Sequence, residues 1–174
     1  MANTYVLLGS NLLTSSTTSI AFNSIPQTYT DLVLKTRIRC DVSAQVAGPS
    51  LKINGSSSAI YSDTQFTANG ATVSAGALSG QTEVEWSHGA AASSGTANIF
   101  SVTEFYFPNY AGSSNKAYSA IVAAENNTTT AYIDSYAHLF SSTSAITSLS
   151  LTIGAGAFNI LSGSSFYLYG ISKS

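Results

Sequence analysis

Short runs of β-branched and aromatic residues alternate with polar ones along this chain, broken by Gly, Asn, Ser and Pro clusters. No window keeps helical periodicity beyond two turns, so the pattern predicts the strands of a sandwich or barrel. Thr4–Leu8 is the first strand, closed by Gly9-Ser10-Asn11. Thr17–Phe22 follows, with Ile20 and Phe22 on one face. Ile25-Pro26 ends it, because proline cannot donate to a ladder. Over Asp31–Arg39, Leu32, Leu34 and Ile38 alternate with Lys35, Arg37 and Arg39, which predicts one buried face and one wetted face. Leu51–Ile53 and Ala59–Phe66 flank Asn54-Gly55, a hairpin signal because both turn positions accept positive φ. Ala68–Gly80, small and punctuated by glycine, reads as a long loop, and Gly89–Ala97 as another. Glu83–Trp86, Ile99–Phe107, Ala117–Ala124, Ala131–Leu139, Ala145–Ile153 and Ser165–Ile171 complete the set, with Leu149, Leu151 and Ile153 pointing inward.

About ten strands without a linker predict one all-β domain, an antiparallel β-sandwich of jelly-roll type. Residues 1–13 form an extended N-terminal arm or first strand and residues 14–174 the sandwich. An immunoglobulin-like sandwich is the alternative, and it usually needs fewer strands and residues. The length of 174 residues suits one domain with a real core.

Composition sharpens this. Charged residues make up 8% of the chain, against about 25% in ordinary domains, and 31 Ser and 19 Thr take their place. Such a surface stays soluble through hydroxyls, and a neighbouring subunit docks on it without stripping water from many charges. Six Lys and Arg in a chain of net charge −2 cannot neutralise a nucleic-acid backbone. The sequence has no apolar run of transmembrane length, and Met1–Leu13 lacks the basic and apolar regions of a signal peptide. Neither nucleic acid nor membrane is an expected partner. The single cysteine, Cys40, excludes an intrachain disulfide and reads as a small buried hydrophobe. Synthesis in a cytoplasm fits, with the sequons at Asn54, Asn126 and Asn127 arising by chance in an Asn/Ser/Thr-rich chain.

Catalytic chemistry has little to work with. Asp134 and His138 share a strand face but lie about 13 Å apart, too far to chelate one ion. Glu83 and Glu85, about 6.6 Å apart, match a glycosidase spacing. Such pairs normally come from different strands of a cleft, and two glutamates beside Trp86 on a short strand read as solvated. Gly163-Ser164-Ser165 lacks the second glycine of a nucleophile elbow. No phosphate-cradling glycine loop opens a helix. The expectation is a non-enzyme with no cofactor, no catalytic residue and no metal ligand.

The aromatics suggest contact surfaces instead. With Ile133, Ala137 and Leu139 taken as the inner face of their strand, Tyr132, Asp134, Tyr136 and His138 line the outer one. A row of amphipathic rings suits a subunit interface or a sugar platform, and ordinary cross-strand pairing is the bland alternative. Phe105, Tyr106 and Phe107 place rings on both faces of a strand, which implies cover on both sides. Lys35, Arg37 and Arg39 gather charge on a single strand and form a candidate charged contact.

Several segments resemble a group of tailed-phage virion proteins. They are the run from Ser19 to Leu32 (SIAFNSIPQTYTDL), Lys52-Ile53-Asn54-Gly55 with Tyr61, Phe107-Pro108-Asn109-Tyr110-Ala111 with Lys116, Ala145–Leu149, and Gly163–Ile171. The likeness covers nearly the whole chain in order, on strand and turn markers. It implies a jelly-roll component of the particle made in the host cytoplasm: a capsid cement (decoration) protein, a head fibre or a tail part. The chain shows neither the repeats nor the coiled-coil stalk of a fibre. The expectation is therefore a cement protein on the major capsid protein shell, as a trimer. The alternative is a tail, baseplate or head-fibre component that binds a carbohydrate or receptor through Tyr132, Tyr136 or Trp86.

Overall fold

The computed structural model describes residues 4–127 and 131–172, and its regular elements are strands apart from one 3-10 turn, Gly154–Gly156. In chain order the strands are β1 (Tyr5–Leu12), β2 (Ser19–Phe22), β3 (Asp31–Ile38), β4 (Val46–Ala47), β5 (Pro49–Ile53), β6 (Tyr61–Ala68) and β7 (Val73–Gln81). They continue with β8 (Val84–Glu85), β9 (Ala90–Ala91), β10 (Ser101–Phe107), β11 (Lys116–Ala124), β12 (Tyr132–Phe140), β13 (Leu149–Ile153) and β14 (Ser165–Ile171). An eight-stranded sheet has the order β1-β14-β3-β10-β11-β12-β6-β7, a four-stranded sheet the order β2-β13-β5-β8, and β4 and β9 form a small pair. The pairings within both large sheets are antiparallel, with β1 against β14 and β2 against β13. First strand thus lies with last and second with penultimate, the nesting of a wrapped sandwich. The expected all-β antiparallel sandwich is what the chain forms.

One apolar cluster joins the two sheets. From the large sheet come Leu32, Leu34, Ile38, Phe105 and Phe107, and from the small one Ile20, Phe22, Leu51, Leu149 and Leu151. Full burial of each such side chain stabilises the fold by about 1.5–3 kcal/mol. The alternation expected on β3 and β13 is observed, with Leu32, Leu34, Ile38, Leu149, Leu151 and Ile153 buried. Cys40 is fully buried in the same cluster.

Two expected features differ, and the first strand runs further than expected. Asn54 and Gly55 do adopt positive φ, 54° and 66°, yet they make no hairpin, because β5 belongs to the small sheet and β6 to the large one. The turn is a corner between sheets. The Asn54 side chain donates to Ala145 O (2.8 Å) and accepts from Thr147 N (2.8 Å), and Ile53 N donates to the Tyr61 hydroxyl (3.0 Å). The stretch 68–80, expected as loop, holds β7. Asn69 Oδ1 accepts from Ala71 N and Thr72 N, Gly70 sits at φ 85°, and the chain doubles back along β6. Alanine, serine and glycine give no strand periodicity, and the ladder with β6 imposes the strand. Of the N-terminal segment, residues 1–3 lie outside the described ones, and Tyr5–Leu12 is docked along β14 as an edge strand.

Candidate docking face

The outer face of the eight-stranded sheet is built from the positions opposite the core. Cross-strand register aligns Arg37, Val102, Ala123, Ile133, Ala68 and Val73 in one row from β3 to β7. The next row is Lys35, Glu104, Ile121, Ser135, Phe66 and Ala75. Large apolar side chains on these rows stand in solvent: Ile121 is 60% exposed, Ile133 54%, Phe66 50% and Val102 47%. A contiguous apolar patch of this kind marks a contact surface.

The charges on this face are engaged within the chain. Lys35 Nζ lies 2.9 Å from Glu104 Oε2, and this hydrogen bond, then the Glu104 charge, raises the Lys35 pKa. The Arg37 guanidinium lies 3.6 Å over the Phe100 ring and donates to Gly163 O at 2.7 Å. Arg39 donates to Thr96 O and Ile99 O, at 2.7 and 2.9 Å, and so fastens the 95–99 segment. Lys35 and Arg37 of the expected charged strand point outward and Arg39 is half-buried, and all three cations are held by partners within the chain. Between Lys35, Arg37 and Tyr167 on one side and Val102, Ile121 and Ala123 on the other lies an open hollow of about 580 Å³. Tyr106, 39% exposed on the same face, donates to Asp31 Oδ2 at 2.9 Å, and Asp31 Oδ1 accepts from Asn109 N at 2.8 Å.

The row expected to face outward on β12 faces inward. Asp134, Tyr136 and His138 are buried and Tyr132 half-buried, while Ile133 is exposed. A strand's side chains alternate, so one misassigned residue inverts all of them. The aliphatics were expected inside, but the outer face is itself apolar and the interior is aromatic. Tyr136 stacks on His138 (5.1 Å), His138 on Tyr118 (5.0 Å), and Tyr118 on Phe107 (4.7 Å). Phe105 and Phe107 lie in the same interior, so only Tyr106 of that trio faces out. Trp86, fully buried, meets Phe105 edge-on and donates to Thr103 Oγ1 at 3.2 Å. Neither Trp86 nor Tyr136 is available as a sugar platform.

One polar assembly in this region was not foreseen. His88 Nδ1 lies 2.8 Å from Oδ2 of the buried Asp134, and the His88 ring stacks on Tyr132 at 3.6 Å. The Tyr136 hydroxyl accepts from Ser87 N at 2.9 Å and donates to Asp134 Oδ2 at 3.4 Å. Burial pushes the Tyr136 hydroxyl up to about 12 and the His138 imidazole down to about 4. Neither nitrogen of His138 has a hydrogen-bond partner among the described residues. The pair His88–Asp134 has the geometry of an oriented histidine and gives Oδ2 of the buried carboxylate a partner, while Oδ1 has none among the described residues. Glu83 pairs with Lys52 at 3.5 Å. Burial, then the Glu83 charge, raises the Glu85 pKa. No group of three or more His, Cys, Asp or Glu among the described residues is arranged to hold a metal ion. No helix among them is long and apolar enough to cross a membrane.

No family model and no curated protein matches the chain. Among solved structures it is similar to Scytalido-glutamic peptidase bound to a peptide-based transition state analog, and to the same peptidase bound to a transition state analog inhibitor. Each comparison gives a TM-score of 0.32 and 11% identity, and covers 87% of this chain and 74% of that one. A likeness that distant establishes no activity.

Proposed function

We propose that this chain is a non-enzymatic structural protein of a tailed-phage virion, a cement protein that binds the outer face of the major capsid shell. The observation that carries the docking role is the outer face of the large sheet, where Val102, Ile121, Ile133 and Phe66 stand half-exposed and the charges are already paired. The resemblance of the strand and turn segments to phage virion proteins supports the setting. Covering this face removes apolar surface from water at about 25 cal/mol per Å². It strips few unpaired ions, so little of that gain is lost to desolvation. Each bound copy spans neighbouring shell subunits, and its binding energy adds to the stability of the assembled shell alone.

At least four of the eight carboxylates are engaged within the chain. Asp134 is held by His88, Glu104 by Lys35, Glu83 by Lys52, and Asp41 by Asn159 at 2.6 Å. Binding to isolated shells, read by co-sedimentation, tests the proposal together with immunogold labelling of virions. Label over the head, and loss of sedimentation when Val102 and Ile121 are both changed to Lys, are expected. Label confined to the tail, or unchanged binding by a folded double variant, would refute this function.

A further inference from the structure

An asparagine followed by glycine is prone to lose its side-chain amide, because no Cβ keeps the glycine nitrogen from the asparagine Cγ. The chain has two such pairs, Asn54-Gly55 and Asn69-Gly70, and the fold sets them in opposite surroundings. Asn54 holds the corner between the sheets. Its Nδ2 donates to Ala145 O at 2.8 Å, and its Oδ1 accepts from Thr147 N (2.8 Å), Thr147 Oγ1 (3.1 Å) and Ser148 N (3.1 Å). Both ends of the amide are thus tied to residues 91 to 94 positions away. Turning this amide toward Gly55 N breaks those bonds and opens the corner.

Asn69 stands at the tip of the β6–β7 hairpin. Its Oδ1 accepts from Ala71 N (3.3 Å), Thr72 N (3.0 Å) and Thr72 Oγ1 (3.0 Å), and its Nδ2 makes no hydrogen bond among the described residues. Gly70, Ala71 and Thr72 are exposed, and nothing lies within 4 Å of where a Cβ on Gly70 would stand. The donors belong to the turn and move with it. They also face the oxygen on which negative charge gathers when Cγ is attacked.

We propose that Asn69 is a site of spontaneous deamidation in the folded protein, while Asn54 is shielded. The Gly70 nitrogen bonds to Asn69 Cγ and gives up its proton, the Cγ–Nδ2 bond breaks, and the amide nitrogen leaves with that proton as ammonia. Water then opens the cyclic imide at either carbonyl. One opening gives aspartate, and the other gives isoaspartate, whose main chain runs through Cγ. Solvent water is the sole co-reactant. Either product places a negative charge in residues 64–82, which carry none. In the isoaspartate the cap on Ala71 N and Thr72 N is lost, which loosens β7, an edge strand paired with β6 alone. The inference is independent of what the broad outer face binds.

The test is mass spectrometry of the full chain aged in mildly alkaline buffer, folded and in urea. Chymotryptic cleavage at Tyr61 and Phe66 puts the two asparagines on separate peptides. In the folded chain the Asn69 peptide should gain the mass of an amide-to-acid change at least about tenfold faster than the Asn54 peptide. In urea the two should react at similar rates, since neither keeps its partners. Equal rates at the two sites in the folded chain, or an Asn69 that stays an amide there while converting in urea, would overturn the proposal. Hydrogen exchange reads the consequence. The aged acidic fraction, separated by anion exchange, should exchange faster over Val73–Leu78 than the fresh chain, and unchanged exchange would overturn the loosening of β7.

Discussion

Replacing His138 with phenylalanine should flatten the acid limb of the stability curve. The imidazole is 3% exposed and stacked among Tyr118, Tyr136 and Phe105. Burial lowers its pKa from 6.5 to about 4. Between those values the unfolded chain takes up a proton that the folded chain refuses. Stability is therefore complete above pH 6.5 and is lost as pH falls to 4. A shift of about 2.5 units at 1.36 kcal/mol each makes the loss roughly 3 kcal/mol. Asp63 lies directly across from His138 on β6. Its carboxyl pKa is raised by burial, so it works in the opposite sense, adding stability as pH falls. Asp134, on the same face of β12, is also present in both proteins. These contributions cancel in the difference between native chain and variant. Urea unfolding of both proteins at intervals from pH 7 to pH 4 should show the native chain losing about 3 kcal/mol more than the variant. If the two curves run parallel, His138 is not held neutral in the fold and this account of the interior is wrong.

Gly89→Ala should lower the unfolding temperature and cost about 2 kcal/mol or more. A Cβ there falls 1.7 Å from Trp86 Nε1, and the buried indole has nowhere to move; scanning calorimetry reads this. Lys35→Ala should change denaturant stability by about 0.5 kcal/mol or less, because the Lys35–Glu104 pair is more than half exposed at both ends. Cys40 should resist an aromatic disulfide reagent in the folded chain and react at once in denaturant, since burial both shields the thiol and raises its pKa.

The parts of the fold legible in the sequence were those where polar and aliphatic residues alternate. On β3 the basic side chains at Lys35 and Arg37 fixed which face was wet, and Leu32, Leu34 and Ile38 followed. β13 was readable for the same reason, with Ser150 and Thr152 between Leu149, Leu151 and Ile153. β7 was not readable. Its residues have weak strand preference, and its conformation comes from pairing with β6 around a turn capped by Asn69. The corner at Asn54-Gly55 shows the limit of a local signal. The turn conformation was legible, but which sheet receives the next strand depends on the partners of Leu51 and Tyr61, at Leu151 and Phe140.

The inversion on β12 explains why the candidate surface was found on the wrong residues. Hydrophobicity sorts faces only when one face is polar, and here both are apolar in different ways. The inner face carries rings whose polar atoms find partners or are shut away, and the outer face carries Ile133, Ala137 and Leu139. Asp134 gave the strongest false cue, because a carboxylate is expected outside. It is buried at no exposure since His88, 46 positions earlier, reaches it at 2.8 Å, a contact no local pattern announces. Once the parity is corrected, the composition and the fold agree. A chain with 8% charged residues holds most of the ions on this face with partners of its own and leaves Val102, Ile121 and Ile133 bare on a broad sheet. Water covers such a face less favourably than another protein does, and the low charge that set this sequence apart is what makes the proposed docking on the large sheet cheap in desolvation.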